Sequence, residues 1–302
     1  AATMAGEPLT GLVDARKVLD LFEGGASAVL QGLHRYWPPL TDLVAELERE
    51  LGHPCQANAY LTPPGSQGFA VHSDTHDVFV FQTHGTKLWE VHEDGERREV
   101  LLEPGLSMYL PTGTPHAARA QDGAALHVTI GINQVTWRDL LDQVVRRELD
   151  VDVAAHLPAG YLDDPGALAD SLADRLGRLA DSLRAVDTHD AARRQVRRFL
   201  GGRPSRLRGG LRDRLVLADI ADDTNLRRRT GHPMRLEADG DRVHLLLGDR
   251  TVTVPGWLRP ALDALQDRAD LRPADLADHL DAQSRVVLCR RLVREGLLEV
   301  VA

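Results

Sequence analysis

The stretch that decides the fold lies between residues 71 and 77 and reads Val71-His72-Ser73-Asp74-Thr75-His76-Asp77. Side chains alternate between the two faces of a β-strand, so His72 and Asp74 are expected to project to the same side of an extended segment. An imidazole and a carboxylate placed in this way can bind one metal ion. The same pair also occurs by chance as a hydrogen-bonded surface pair, so a third ligand is needed to distinguish the two.

A second motif supplies that ligand. It reads Pro111-Thr112-Gly113-Thr114-Pro115-His116, in which proline and glycine favour a tight turn and His116 is expected to begin the next strand. Two histidines and one carboxylate on one side of a metal leave coordination positions open, which is the arrangement of non-haem Fe(II) oxygenases. We therefore predict that His72, Asp74 and His116 are metal ligands and catalytic residues.

Short β-rich runs separated by proline and glycine surround both motifs and predict a barrel or a sandwich. The predicted strands cover residues 57–61, 69–72, 78–83, 86–91, 107–110 and 126–132, and predicted helices cover residues 13–22 and 38–51. His84 and Gly85 are predicted to form a two-residue hairpin turn, which would place Gln82 opposite Lys87.

The spacing of Gly105, Pro111, Gly113 and His116 matches the second motif of the cupin superfamily. The resemblance is closer to one branch, because the run Asn58-Ala59-Tyr60-Leu61-Thr62-Pro63-Pro64-Gly65-Ser66-Gln67-Gly68-Phe69 precedes His72 and Asp74, and Gly85, Lys87 and Trp89 follow them. In these residues the chain resembles the JmjC ribosomal-oxygenase subfamily of 2-oxoglutarate-dependent oxygenases, over about residues 28–132.

The resemblance implies a mainly β barrel with added α-helices, in three parts. These are a double-stranded β-helix (cupin/JmjC) catalytic domain at residues 1–135, a helical dimerisation region at 136–225 and a winged-helix domain at 226–302. It makes His72, Asp74 and His116 the ligands of Fe(II). It also makes Lys87 the cation that pairs with the distal carboxylate of 2-oxoglutarate, as a buried dicarboxylate requires.

The resemblance further implies that Asn58, Tyr60 and His127 line the cosubstrate pocket. The implied activity is that of a dioxygenase that uses Fe(II), 2-oxoglutarate and O₂ to hydroxylate a protein or peptide side chain, with arginine or histidine of a ribosomal protein as the family precedent. The implied assembly is a homodimer. The alternatives are hydroxylation of a peptide natural product, a cupin enzyme of other chemistry, and a non-catalytic metal-binding scaffold that binds a protein or RNA partner.

Two features depart from the subfamily. Ser73 stands between two ligands where an aromatic residue is more usual, which would alter the substrate entrance. The segment 92–103 is shorter than the subfamily's usual connection, so either the loop is trimmed or residues are missing from this sequence.

Other polar residues have simpler explanations. His76, His84 and His92 are expected at the surface or in turns, and Asp77 is a candidate for holding a metal ligand in place. Cys55 is expected to be buried rather than nucleophilic, and Trp89 is expected in the barrel core.

The remainder of the chain is predicted to be helical and then mixed. An apolar stripe on a helix after Pro165 is formed by Leu168, Leu172, Leu176, Leu179, Leu183 and Val186, either as core or as a dimer seam. A basic segment contains Arg193, Arg194, Arg197, Arg198, Arg203, Arg206, Arg208, Arg212 and Arg214. It is either a solvated face with helix ion pairs or a surface for a negatively charged partner such as RNA.

In the last part, Asp239 and Gly240 predict a hairpin turn before a strand over 250–254, and helices are predicted over 258–265, 273–279 and 282–295, followed by a closing strand over 296–301. Acidic residues near the third helix argue against DNA binding.

Composition agrees with this picture. The 302 residues include 36 basic and 45 acidic side chains, giving a net charge of -9, and the hydrophobic fraction of 43% suffices for a packed core. No membrane span or signal peptide is expected, and two cysteines, Cys55 and Cys289, exclude a disulfide scaffold and suit a reducing cytoplasm. Lys17 and Lys87 are the only lysines, since every other basic residue is arginine.

Overall fold

The computed structural model describes residues 3–4, 7–8, 14–149, 154–204, 207–229, 231–266 and 268–301. Val13, at the start of a predicted helix, and Arg206, in the basic segment, lie outside these residues. The chain divides into two compact units, Ala1–Gln134 and Val135–Ala302. The three-part division at 135 and 225 stays a prediction.

The first unit contains a two-stranded sheet, formed by its first two strands, and two larger sheets. Its elements are β1 (Thr3–Met4), β2 (Glu7–Pro8), α1 (Ala15–Glu23), β3 (Ala28–Leu30), α2 (Pro38–Leu51), β4 (Cys55–Thr62), β5 (Asp77–His84), β6 (Lys87–Glu93), β7 (Glu96–Leu102), β8 (Ser107–Leu110), β9 (His116–Ala120) and β10 (Ala125–Ile132). One sheet has the strand order β3-β4-β10-β5-β8 and the other β7-β6-β9, with all neighbours antiparallel. Residues of both sheets line one cavity, which therefore lies between them.

Alternation along β4 separates this cavity from the apolar core. Cys55 and Ala57 are buried and pack with Leu40 and Val44 of α2. The intervening residues of β4 face the cavity, because successive side chains of a strand point to opposite faces. Helix α2 thus covers the outside of the strand whose inner face carries the polar side chains.

The predicted turn at His84 and Gly85 is wrong as a hairpin. Strand β5 pairs with β8 and β10, whereas β6 pairs with β7 and β9, so the turn carries the chain from one sheet to the other. Gly85 has φ +59°, and a Cβ there would lie 2.3 Å from the carbonyl oxygen of Ala124. Only glycine fits, and its neighbour is the segment before β10 rather than a partner strand.

One strand prediction is wrong. Residues 69–72 do not form a strand; Gln67 and His72 make isolated bridges to Arg119 and His116. The short segment 92–103 continues β6 and forms β7, as a hairpin whose turn is Asp94 and Gly95. Whether this connection is trimmed relative to the subfamily stays a prediction. The remaining predicted strands of the barrel are confirmed within a few residues, and His116 does begin β9.

The second unit begins with helices and ends with short sheets. Its elements are α3 (Trp137–Glu148), α4 (Pro165–Arg184), α5 (Thr188–Gly201), α6 (Gly210–Leu215), β11 (Leu226–Arg228), β12 (Arg235–Asp239), β13 (Arg242–Leu246), β14 (Thr251–Pro255), α7 (Arg259–Gln266), β15 (Asp270–Leu271), α8 (Ala282–Arg294) and β16 (Leu298–Val300). The sheets have the orders β12-β13-β14 and β15-β11-β16. Asp239 and Gly240 lie at the predicted turn between β12 and β13. The predicted helix over 273–279 is a short 3₁₀ turn, Pro273–Leu276, and the short strand β11 had not been predicted.

Helix α4 carries the predicted leucine stripe along its length. Leu172 and Leu176 are 53% and 55% exposed, so this face is incompletely covered within the chain. None of the helices in the described residues combines the length and the hydrophobicity that crossing a bilayer requires.

A candidate metal centre in the barrel

The three predicted ligands meet at one end of the cavity. His72, Asp74 and His116 each offer a ligand atom, and these atoms all lie within 4.8 Å of one another. The Nε2 atom of His116 lies 3.7 Å from Oδ2 of Asp74. No other group of three such side chains is found in the part of the chain that the structure describes.

Backbone hydrogen bonds, rather than a continuous strand, bring the ligands together. His72 and His116 exchange two hydrogen bonds, from each amide to the carbonyl of the other, at 3.0 and 2.8 Å. The amide of Gly113 donates to the carbonyl of Asp74 at 2.9 Å. The expected convergence is therefore present, but the alternation of a regular strand is not what produces it.

Both histidines are held in the tautomer that a metal requires. Nδ1 of His72 lies 2.9 Å from the carbonyl oxygen of Ala70, and Nδ1 of His116 lies 2.9 Å from that of Thr114. A carbonyl oxygen only accepts, so each Nδ1 carries the proton and each Nε2 keeps its lone pair. This backbone contact orients the imidazole rings, as is usual for histidine ligands.

Burial also keeps His116 unprotonated. Its side chain is buried, and desolvation lowers its pKa below the usual value, with the charge of His72 acting in the same direction. A neutral imidazole is the form that binds metal, so the ligand is available at neutral pH.

Asp77 fixes the turn that carries the third ligand. Its carboxylate accepts hydrogen bonds from the amide and the hydroxyl of Thr112, both at 2.8 Å, and from the hydroxyl of Tyr109 at 2.5 Å. Burial is the largest single influence and raises the pKa of Asp77, but the hydrogen bonds from Tyr109, Thr112 and Gln134 together outweigh it and lower the pKa to about 2. Asp77 therefore supports the turn before His116 and does not touch a ligand side chain.

Lys87 lies elsewhere in the same cavity and is only 1% exposed. Its Nζ donates to the hydroxyl of Thr62 at 2.9 Å, to the carbonyl of Tyr60 at 3.2 Å and to Nδ1 of His127 at 2.8 Å. Burial lowers its pKa to about 8. Within the described residues no carboxylate lies at ion-pair distance, so this ammonium has neutral partners only.

His127, one of the neutral partners of Lys87, packs against two aromatic rings. The ring of His127 stacks on Tyr60 with centroids 4.8 Å apart and an angle of 11°, and meets Trp89 edge-on. Burial, the charge of Lys87 and then that of His116 hold the pKa of His127 well below its usual value. Because an ammonium can only donate, Nδ1 of His127 accepts and its proton lies on Nε2.

The structure brings Asn58, Tyr60 and His127 to this cavity, as the sequence predicts, and places Trp89 in its wall. It does not place Gln82 against Lys87. The amide of Gln82 donates to the carbonyls of His84 and Gly85, both at 2.9 Å, and so supports the turn between the sheets.

The extra histidines differ from one another. His84 is exposed, and His92 pairs with Glu90 at 2.7 Å on the outside of the second sheet. His76 lies in a bend, as a surface or turn histidine would, but it is half-buried and lines the cavity together with Gln31 and Gln56. Sequence reasoning missed these three residues, and the only signal was the position of His76 two residues after a ligand.

The donor set fits a divalent metal with open coordination positions. Two imidazole Nε2 atoms and one carboxylate leave space in a cavity of about 350 Å³, and the buried ammonium suits an anion bound beside the metal. Fold and site together define a cupin-like barrel with two histidine ligands and one carboxylate.

Comparison with known proteins supports this class. Residues 39–140 match the JmjC domain family. Ribosomal oxygenase 1 of Rattus norvegicus is 34% identical over 176 residues, which is 49% of this chain and 30% of the relative. The bifunctional lysine-specific demethylase and histidyl-hydroxylase NO66 of Branchiostoma floridae is 37% identical over 165 residues, 52% of this chain and 27% of the relative.

Among solved structures, the chain resembles YcfD, a ribosomal oxygenase from Escherichia coli determined in complex with cobalt and 2-oxoglutarate. The TM-score is 0.50 at 22% identity, covering 91% of this chain and 78% of YcfD. Residues 39–140 therefore match the JmjC domain family, and the chain is similar to proteins named ribosomal oxygenases, which confirms the resemblance stated from sequence. It spans about a third of the length of the curated relatives that it matches.

Proposed function

We propose that this protein is an Fe(II)- and 2-oxoglutarate-dependent dioxygenase that hydroxylates a side chain of a protein or peptide. One observation carries the proposal: the three metal-ligand side chains line the same cavity as a buried ammonium that has no carboxylate partner among the residues the structure describes. Metal chemistry alone needs no such cation, whereas a dicarboxylate cosubstrate does.

His72, Asp74 and His116 would hold the iron. Lys87 would bind the distal carboxylate of 2-oxoglutarate, with Thr62 and His127 keeping its ammonium in place. When bound, iron and 2-oxoglutarate would supply the oxidation, in which one oxygen atom of O₂ enters succinate as CO₂ leaves and the other becomes the hydroxyl group of the product. The protein would hold one C–H bond of the substrate beside the metal and restrict water around it.

The substrate proposal follows the relatives. The names ribosomal oxygenase and histidyl-hydroxylase support arginine or histidine of a ribosomal protein as the target. A peptide natural product is the alternative substrate for the same site.

The assembly is also a proposal. The exposed leucines of α4 support a homodimer through the helical region 136–225, and the strands and helices of residues 226–302 support a winged helix. Arg197 and Arg212 of the basic segment contact Glu237 and the carbonyl of Val300, which favours a structural role over nucleic-acid binding. Cys55 and Cys289 are buried and form no disulfide among the described residues, which agrees with a cytoplasmic protein.

The test uses purified full-length protein with Fe(II), 2-oxoglutarate and ribosomal proteins as substrate. We expect succinate and a product that is heavier by one oxygen atom, and we expect Asp74→Ala to abolish both because it removes a ligand. His84→Ala, at an exposed histidine outside the site, is the matched control and should retain activity. If Asp74→Ala turned over normally, the metal assignment would be wrong; metal binding without 2-oxoglutarate binding would favour the non-catalytic scaffold.

A further inference from the structure

The cavity has two chemically different ends. Strand β4 points Gln56 and Thr62 into it, six residues apart, which corresponds to about 20 Å along a strand. Thr62 contacts Lys87, and Gln56 lies opposite Gly131 in the register of β4 and β10. The end of the cavity at Thr62 and Lys87 therefore suits an anion. The end at Gln56 and Gly131 lies at the opposite end of β4 and is called the second end below.

At the second end, the ring of His76 packs against Gly131, in the space that a side chain at this position would occupy. A Cβ added to Gly131 would lie 2.6 Å from Nε2 and 2.8 Å from Cδ2 of His76, and 3.3 Å from Cγ of Gln56. The φ of Gly131 is not in the left-handed region, so its backbone does not require glycine. Glycine is needed here to leave room for the ring of His76 against the strand.

The groups around His76 are polar and uncharged. The side chains of Gln31, Gln56 and His76 line the cavity and have no hydrogen-bond partner among the described residues. Among the described residues, the cavity lining contains one carboxylate, Asp74, and one ammonium, Lys87. Asp74 is a proposed metal ligand, and Lys87 lies at the opposite end of the cavity from His76. A cationic substrate side chain would therefore find no free carboxylate, and burying it unpaired is unfavourable.

We propose that His76, seated against Gly131 and flanked by Gln31 and Gln56, is a specificity-determining residue that selects an uncharged substrate side chain able to donate and accept hydrogen bonds. This inference rests on the proposed hydroxylase function and assigns the substrate end of its cavity. Amide and imidazole groups both donate and accept, so they match an imidazole or a carboxamide better than a guanidinium or an ammonium.

The test compares three pools of nine-residue peptides with Ala, Ser and Gly flanks and a central His, Asn or Arg. Full-length protein is assayed with Fe(II) and 2-oxoglutarate for hydroxylated peptide. We expect hydroxylation of the His or Asn pool and at least tenfold less of the Arg pool. Preference for the Arg pool, or no hydroxylation of any pool while succinate still forms, would overturn the proposal. Absence of succinate altogether would refute the proposed function instead.

Variants of His76 and Gly131 then test whether these residues select the substrate side chain. For the preferred pool, His76→Ala should raise KM about tenfold, as expected for a lost hydrogen bond, while the dissociation constants of metal and 2-oxoglutarate stay unchanged. Gly131→Ala should raise KM similarly by displacing the ring of His76. In the double variant, Gly131→Ala should add no further loss, because the ring it displaces is already absent.

Two results would contradict this assignment. One is an unchanged KM in His76→Ala. The other is a fully additive effect of Gly131→Ala in the double variant, which would mean that the glycine acts independently of His76. A folding defect in Gly131→Ala would leave His76→Ala as the decisive variant, with His84→Ala as the control for loss of a histidine.

Discussion

Among the described residues, each unit of the molecule buries one lysine or arginine side chain, and the two side chains differ in their partners. Lys87 in the barrel is 1% exposed and contacts a hydroxyl, a carbonyl and an imidazole. Arg229 in the second unit is 5% exposed and contacts the carboxylates of Asp213 and Glu299. A buried charge paired within the chain holds the fold together, whereas one left with neutral partners is available to a ligand.

The largest expected effect is a loss of stability when the ion pair between Arg229 and Asp213 is broken. Arg229→Met removes the buried cation beside Asp213 and leaves only the more distant, half-exposed Arg212 at 3.7 Å. It should lower the free energy of unfolding by about 3 kcal/mol. Urea denaturation of full-length protein measures this change. The double variant Arg229→Met/Asp213→Leu should recover much of the loss, and neither variant should change 2-oxoglutarate affinity. A stable single variant would remove the contrast between the two cations.

Lys87→Met should weaken 2-oxoglutarate binding and leave stability nearly unchanged, which is the reverse of the result expected for Arg229→Met. We expect about a 100-fold rise in the dissociation constant of 2-oxoglutarate, which corresponds to a lost buried charge pair of about 3 kcal/mol. The melting temperature without 2-oxoglutarate should change little, because the hydrogen bonds lost by Thr62 and His127 are offset by no longer burying a charge. Lys17→Met, at the exposed second lysine, is the control and should change neither quantity. Unchanged 2-oxoglutarate affinity in Lys87→Met would contradict the cosubstrate role.

The smallest expected effect is the pH dependence of 2-oxoglutarate binding. Burial lowers the pKa of Lys87 to about 8, so the free protein loses this charge as the pH rises through that value. The dissociation constant of 2-oxoglutarate should be flat just below pH 8 and rise about tenfold per unit above it, since each unit of pH lowers the protonated fraction tenfold. Calorimetry between pH 7 and 9.5 measures it. Lys87→Arg, which stays charged, should abolish the dependence if it binds the cosubstrate.

The sequence predicted the metal centre better than the local structure around it. The residue types and their motifs selected His72, Asp74 and His116, which the structure brings together, and the resemblance selected Lys87, which lines the same cavity. The predicted strand over 69–72 is absent because its apolar residues are exposed and only His72 and Gln67 are bridged to β9. Convergence of the ligands depends on hydrogen bonds between distant segments, which no local pattern encodes.

Two other errors have the same origin. A glycine turn between β-rich runs predicts a hairpin, but at Gly85 the strands belong to different sheets, and strand pairing is a property of the whole barrel. His76 looked like a surface residue because the space that Gly131 leaves for it lies more than fifty positions further along the chain. Sequence patterns therefore report the chemistry of the ligands, while the cavity's second end is visible only in three dimensions.

The paired amides and carbonyls of His72 and His116 have a consequence for how such sites can vary. These two residues form a single rung, so their distance is set by strand register and is independent of the number of residues between them. Hairpins such as β6–β7 can lengthen or shorten within that interval without moving either imidazole. Relatives with very different spacings can share the same centre, and a search that fixes the interval between the histidines would fail to find them.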